Sequence, residues 1–535
     1  MRQLFSIFLA MVLGVTALPA VAQPSAQSSD SCAALRAQDF TSIPDAATAI
    51  TGTAIIPAAA DLPEYCQVQG TIAPSINFEL RLPTQTWNEK FLMQGCGGLC
   101  GIINMVAADD ALARNYAVIN QNMGHVSQPF VATWAYNNLP GEIDFGFRST
   151  HITAVAAKVL VEAYYGKAPA YSYFKGCSTG GRQAMVQAQR FPWDFDGIIA
   201  GAPVLNEIGD GMLHLVWSGR ANLDQNNTPI LTPDKLPLIR DAVMAACDAN
   251  DGVVDNVLQD PRTCTWKPTD LQCEGSDATN CLTPAEVGAV ERIYAGAHNS
   301  EGERIFAGGM SKGSEYEWSP AFVAQDRALP AILNRNGMIG QFARYLAFWQ
   351  DGDGPGSDPL TFDWDRDPPR LMLTETLYNA QNPDLRKFRD AGNKLVLYHG
   401  WDDLEIPPAL SVDYYETASK TMGGYEATQE FFRLFMIPGM AHCRRGPGAD
   451  AFDSLTALEQ WVEQGSAPDA LTSYHLKTPQ AYNGLPRIRY PLADDAYDWS
   501  RPVYPYPASA VYSGEGDWKK PESWVATDNA NSGKD

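Results

Sequence analysis

The chain has 535 residues and a formal net charge of −23 at pH 7. That charge argues against nucleic acid and anionic membrane surfaces as partners, since both would be repelled. Only 19% of residues are charged and 45% are hydrophobic, a balance that excludes extended disorder. The length suits two or three domains, or one large domain with an insertion.

Residues 1–22 read as a signal peptide. Arg2 precedes an apolar run from Leu4 to Leu18, and Ala20-Val21-Ala22 forms a small-residue cleavage site. The run is short for a membrane span, and Pro19 follows it. The expectation is an exported protein, periplasmic or extracellular, starting near Gln23 with a flexible polar lead-in to Asp30. Export makes disulfides the default state of the ten cysteines. Spacing leaves connectivity open, with Cys247–Cys264 and Cys273–Cys281 as local candidates because short loops close easily.

Strand-and-turn alternation runs from Ala54 to Leu82. Phe91–Gln94 is a short apolar strand leading into Gly95-Cys96-Gly97-Gly98-Leu99-Cys100-Gly101, and Ala117–Asn120 is the next strand. Val155, Val159, Leu160 and Ala163 place a helix over Thr153–Tyr165. Strand Tyr171–Phe174, helix Arg182–Phe191 and strand Gly197–Ala200 follow, the order of a parallel α/β sheet. From Asn206 to about Arg389 the pattern is irregular, with Ala331–Gln350 reading as a helix. Strands return at Lys394–Tyr398 and Phe431–Ile437. The fold reads as α/β, an α/β-hydrolase fold with a large inserted lid domain. Residues 23–205 and 390–535 form the catalytic domain and 206–389 the lid; two consecutive domains are the alternative.

The segment Lys175-Gly176-Cys177-Ser178-Thr179-Gly180-Gly181 holds a G-x-S-x-G pattern between a strand and a helix. That is the context of a nucleophile elbow, in which a sharp turn presents the serine. The bland alternative is a glycine-rich loop. A serine near pH 7 needs a base, and the base needs an orienting acid. In this fold they follow in the order Ser, Asp or Glu, His. Asp403 and His442 stand in that order, each on a loop after a strand. Asp402 is the runner-up acid. His399 is the competing histidine and is otherwise assigned to the substrate site. Thr179 and Gly98 or Gly97 are placed to donate backbone N–H groups to an oxyanion. If Ser178 and His442 meet, Cys177 and Cys443 are neighbours, and a disulfide would tie elbow to histidine loop.

Asp248, Asp251 and Asp255 surround a glycine turn, with the carbonyls of Val253 and Val257 nearby. Such a set suits calcium, which takes oxygen ligands; a solvated acidic turn is the alternative. In the lid, Arg344, Phe348 and Trp349 are candidates to bind an acidic aromatic substrate, against the plainer reading of lid packing.

Together these motifs resemble the tannase and feruloyl esterase family. The resemblance rests on Cys177-Ser178, Asp403 and His442-Cys443, the calcium-type loop Cys247–Val257, and the terminal Arg501-Pro502-Val503-Tyr504-Pro505-Tyr506-Pro507. It implies a calcium loop with ligands Asp248, Asp251, Val253, Asp255 and Val257. It also implies the pairs Cys32–Cys66, Cys177–Cys443, Cys247–Cys264 and Cys273–Cys281, leaving Cys96–Cys100. A C-terminal disulfide frequent in the family is replaced here by Tyr504 and Ala526, which implies a looser tail. The implied activity is serine carboxylester hydrolysis of a small aromatic ester: feruloyl, galloyl, or a phthalate or terephthalate monoester. A secreted serine peptidase and a binding protein on an inactive hydrolase scaffold are the competing readings.

Overall fold

The computed structural model describes residues 26–275, 279–350, 352, 357–479 and 488–528. The expected signal peptide lies outside them. Ala26–Ala37 is a helix, so the expected flexible lead-in is already ordered from Ala26 onward. Cys32 anchors that helix to the sheet through Cys66.

One nine-stranded sheet organises the molecule. Its strands are β1 (Thr48–Ile56), β2 (Tyr65–Ile72), β3 (Ile76–Pro83), β4 (Lys90–Gln94), β5 (Ala117–Gln121), β6 (Tyr171–Cys177), β7 (Gly197–Gly201), β8 (Lys394–Gly400) and β9 (Phe432–Ile437). Their spatial order is β1-β2-β3-β5-β4-β6-β7-β8-β9. The first three strands form an antiparallel meander, and β3 pairs antiparallel with β5. From β5 to β9 every neighbour is parallel. Parallel strands are covered on both faces, so they read as continuous apolar runs rather than alternating ones. Strand β7, Gly-Ile-Ile-Ala-Gly, is buried at every position. Phe174, Ile198 and Leu397 face one core cluster, while Tyr173, Ile199 and Val396 face the other.

The register aligns the carboxyl ends. Cys177 pairs with Gly201, Gly201 with Tyr398, and Tyr398 with Phe435. The loops after β6, β8 and β9 therefore emerge at one edge, where open α/β sheets hold their ligands.

Residues 202–393 leave the sheet after β7 and return at β8. The irregular reading of this stretch understates it, since helices span Lys235–Cys247 and Pro284–Ala295. The second begins with a reciprocal cap between Thr283 and Glu286, a Thr-x-x-Glu signal present in the sequence. The expected helix over Ala331–Gln350 is broken. A 3-10 turn covers Ala331–Leu333, an α-helix covers only Met338–Tyr345, and Asn334 and Gly337 are extended between them. Asn334 turns its side-chain oxygen to the Asn336 N–H, a local bond that competes with helix continuation.

The tail is not loose. Ala508–Tyr512 pairs antiparallel with Trp524–Asp528, placing Ala526 opposite Ala510. The Tyr504 hydroxyl donates to the Trp524 carbonyl. A backbone ladder ties this region without a disulfide.

The helix Thr179–Arg190 lies so close to β7 that a Cβ on Gly181 would overlap the Gly201 carbonyl oxygen. Gly181→Ala should therefore push the helix off the sheet, costing about 1–3 kcal/mol as overpacking. Calorimetry should show a lower Tm.

Candidate active site

Ser178 follows β6 and precedes the helix Thr179–Arg190. Its φ is 63° and ψ −125°, a conformation that side-chain-bearing residues rarely adopt. The elbow closes only because its neighbours are glycines. A Cβ on Gly176 would strike the Gly180 backbone, and one on Gly180 would come within 2.9 Å of the Cys96 carbonyl oxygen. The Ser178 N–H donates to the Gly201 carbonyl and its own carbonyl accepts from Arg182, which holds the turn from both sides.

Asp403 comes from the loop after β8 and is fully buried. Its Oδ1 accepts the N–H groups of Glu405 and Ile406, at 2.9 and 3.0 Å. Its Oδ2 lies 2.8 Å from His442 Nδ1 and 3.2 Å from His399 Nε2. Burial alone would raise this carboxyl, but the charge of His442 and the hydrogen bonds from His399 and His442 hold it well below the usual carboxylate range. Asp402, by contrast, faces Tyr316 and Arg240 and is pushed up to about 7 by burial and by Glu315. Of the two adjacent aspartates, Asp403 is the one bonded to His442.

His442 is buried on the loop after β9. Burial lowers its basicity, but the charges of Asp403 and Glu405 and the Asp403 hydrogen bond outweigh that and raise it to about 9. With Nδ1 on Asp403, Nε2 is the nitrogen left over. It makes no hydrogen bond among the described residues and has Glu405 Oε2 at 3.5 Å. The Cys177–Cys443 disulfide, Cα–Cα 6.1 Å, joins the residue before Ser178 to the residue after His442.

His399 does not touch the cavity. It is fully buried, with Nε2 3.1 Å from the Ile406 carbonyl and Nδ1 2.8 Å from Ser411 Oγ. Nε2 faces two acceptors, so it carries the proton and Nδ1 accepts from Ser411. It braces Asp403, and it is not in the wall of the cavity beside Ser178.

A cavity of about 270 Å³ opens beside Ser178. Gly98, Thr179, Phe130 and Phe342 line it, with Glu207, Asp210 and Glu405. Thr179 is the first residue of its helix, so its N–H has no intrahelical acceptor. Its hydroxyl donates to the Gly98 carbonyl at 2.6 Å, joining the elbow to the glycine loop. Gly98 has φ of 59°, a backbone position that favours glycine; Gly97 stands in open space and is not in the cavity wall. Cys96–Cys100 closes this loop.

Arg344 packs over the Tyr345 ring and Phe348 is buried under Arg370. Trp349 is 59% exposed, and none of the three lines the cavity. The helix ends at Tyr345, before Phe348 and Trp349, and from this segment Phe342 is the aromatic in the wall. Glu207, Asp210 and Glu405 escaped sequence reading because no motif marks them.

The remaining disulfides are Cys32–Cys66, Cys247–Cys264 and Cys273–Cys281. In the acidic loop, Asp248 accepts N–H groups from Asp255, Asn256 and Val257. Asp255 pairs with buried Arg501, whose Nη1 is also 3.6 Å from Asp251. Arg501 belongs to the terminal motif, and its place here was not legible from spacing.

The sheet, the strained serine and the Asp403–His442 pair define the class, an α/β-hydrolase. The tannase and feruloyl esterase family model matches residues 61–527. An uncharacterised esterase of Xanthomonas campestris pv. campestris is 33% identical, covering 88% of this chain and 85% of that one. The mono(2-hydroxyethyl) terephthalate hydrolase of Piscinibacter sakaiensis is 32% identical over 86% and 84%. The crystal structure of feruloyl esterase B from Aspergillus oryzae superposes with a TM-score of 0.76 at 24% identity, covering 94% of this chain and 100% of that one. The chain belongs to the tannase and feruloyl esterase family and is a carboxylic ester hydrolase.

The raised His442 makes a stability prediction. Its folded pKa, about 9, exceeds the ordinary 6.5. Its contribution is therefore fully present below about pH 6.5 and lost as pH rises through 9. Unfolding free energy should fall across that window by roughly 1–3 kcal/mol. Denaturation at several pH values should show the slope, and His442→Gln should flatten it.

Proposed function

We propose that this chain hydrolyses esters of aromatic acids through a serine acyl-enzyme, with Ser178 as nucleophile, His442 as base and Asp403 as its orienting acid. The observation that carries the reading is the buried Asp403–His442 hydrogen bond, clamped by disulfide to a strained serine. Ser178 Oγ attacks the ester carbonyl while the unprotonated form of His442 takes its proton at Nε2. The N–H groups of Thr179 and Gly98 receive the oxyanion, each donor contributing about 10²–10³ in rate. Collapse expels the alcohol, protonated by His442, and water then releases the acid.

Phe130 and Phe342 line a largely apolar cavity, which supports an aromatic acyl group. Relatives named for feruloyl and terephthalate esters support the same class. Five disulfides among the described residues support export, as does the signal-like start. Among the described residues no helix is long and apolar enough to cross a membrane.

The acidic loop is proposed to hold structural calcium through Asp248, Asp251, Asp255 and the carbonyls of Val253 and Val257. Among the described residues, no three His, Cys, Asp or Glu side chains converge as a metal-holding group. The donor chemistry nevertheless suits a hard cation. Two carboxyls, Asp251 and Asp255, share one guanidinium, and Asp251 Oδ2 is buried with no hydrogen-bond partner among the described residues. Burial pushes Asp251 up to about 6, Arg501 opposes this, and Asp255 and Asp248 add to it.

Purified enzyme should cleave methyl ferulate or methyl gallate, and Ser178→Ala should lose at least 10³-fold in kcat. Hydrolysis of the corresponding amides at comparable rates would favour the peptidase reading instead. Chelation with EDTA should lower Tm by several degrees and added calcium should restore it, a pattern read by scanning calorimetry. No change in Tm would remove the calcium assignment.

A further inference from the structure

The cavity beside Ser178 is largely apolar apart from Ser178, Thr179 and three acids. Leu99, Val204, Leu215, Ile339 and Phe342 form much of the wall, and among the described residues no Lys or Arg lines it. Its three carboxyls are not equivalent. Glu207 is paired with fully buried Arg182 at 2.9 Å, so its charge is balanced. Glu405 is 44% exposed at the side nearest His442. Asp210 is only 4% exposed, and its Oδ1 has no hydrogen-bond partner among the described residues.

Burial, with the charges of Glu207, Asp403 and Glu405, pushes the Asp210 carboxyl well above the usual range, while His442 opposes this. Burial and the like charges both favour the protonated carboxyl. A carboxylate accepts a hydrogen bond and a protonated carboxyl also donates one, and an orphaned polar atom in a dry wall is costly until something pairs with it.

We infer, on the ester-hydrolase reading above, that Asp210 is a specificity-determining residue whose carboxyl hydrogen-bonds a hydroxyl on the substrate ring. The same walls reject rings that bear a free carboxylate. A hydroxyl matches Asp210 in either sense of donation. A carboxylate entering here would be stripped of water beside Asp210 and Glu405, with no Lys or Arg among the described wall residues to receive it. Arg344, the residue that sequence reading offers for that purpose, is not in the wall.

Sites built to bind a hydroxyl discriminate strongly against analogues lacking the hydrogen bond, because their own polar group is then left unpaired. The test is kcat/KM for methyl 4-hydroxycinnamate, methyl 4-methoxycinnamate and monomethyl terephthalate, with wild type, Asp210→Asn and Asp210→Leu. Wild type should favour the hydroxy ester over each of the others by at least about tenfold. Asp210→Leu should bring the hydroxy ester down to the level of the methoxy ester while the methoxy ester is still cleaved. Asp210→Asn, of the same shape and still able to hydrogen-bond, should retain part of the preference. Equal wild-type rates on hydroxy and methoxy esters, efficient cleavage of the terephthalate monoester, or an equal loss on both cinnamates in both variants would overturn the inference. Those outcomes leave ester hydrolysis standing. Absence of turnover on all three esters would remove the ester reading and this inference with it.

Discussion

The buried charge of Asp403 organises the whole site. An ionised carboxylate inside a protein is tolerated only when its oxygens are met by donors. Here two backbone N–H groups take one oxygen and two imidazoles the other. Those donors come from β8, the loop after it and the loop after β9. Satisfying one charge therefore fixes the loop 403–406, seats His442 and gives His399 its only orientation. The consequence for chemistry is direct: Nδ1 of His442 is committed to Asp403, so Nε2 is the nitrogen left for a substrate or a serine.

The second constraint is strain. Ser178 occupies a backbone conformation worth on the order of 1–3 kcal/mol of destabilisation. It persists because the packing around it permits no relaxation. Glycines at 176, 180 and 181 let strand and helix backbones touch, and the Cys177–Cys443 bond ties the elbow to the histidine loop. That bond closes a span of 266 residues, so it also joins the chain on either side of residues 202–393. The elbow and the loop that carries His442 are thereby tied directly to each other.

Much of this was legible in one sequence. The strands at 91–94, 117–120, 171–174, 197–200, 394–398 and 431–437 are apolar runs bounded by glycine or polar turns, and β4 to β9 begin or end within a few residues of them. Ser178, Asp403 and His442 were marked by their position after strands, because topology places such loops at one edge. The lid was harder. The helix expected over Ala331–Gln350 breaks at Asn334 and Gly337; beyond the break Met338, Ile339 and Phe342 line the cavity, while Arg344, Phe348 and Trp349 do not.

The sequence by itself determined the fold class, the family, the strands and the residues that could do serine chemistry, because these rest on local patterns: apolar runs, turn glycines and linked motifs. Tertiary structure alone decided the rest. It chose Asp403 over Asp402 and made His399 a brace. It put Arg501 against Asp251 and Asp255, and brought Glu207, Asp210 and Glu405 into one apolar cavity. Each of these depends on contacts between segments distant in the chain. Burial and charge at such contacts are set by what packs there, and no local spacing encodes that.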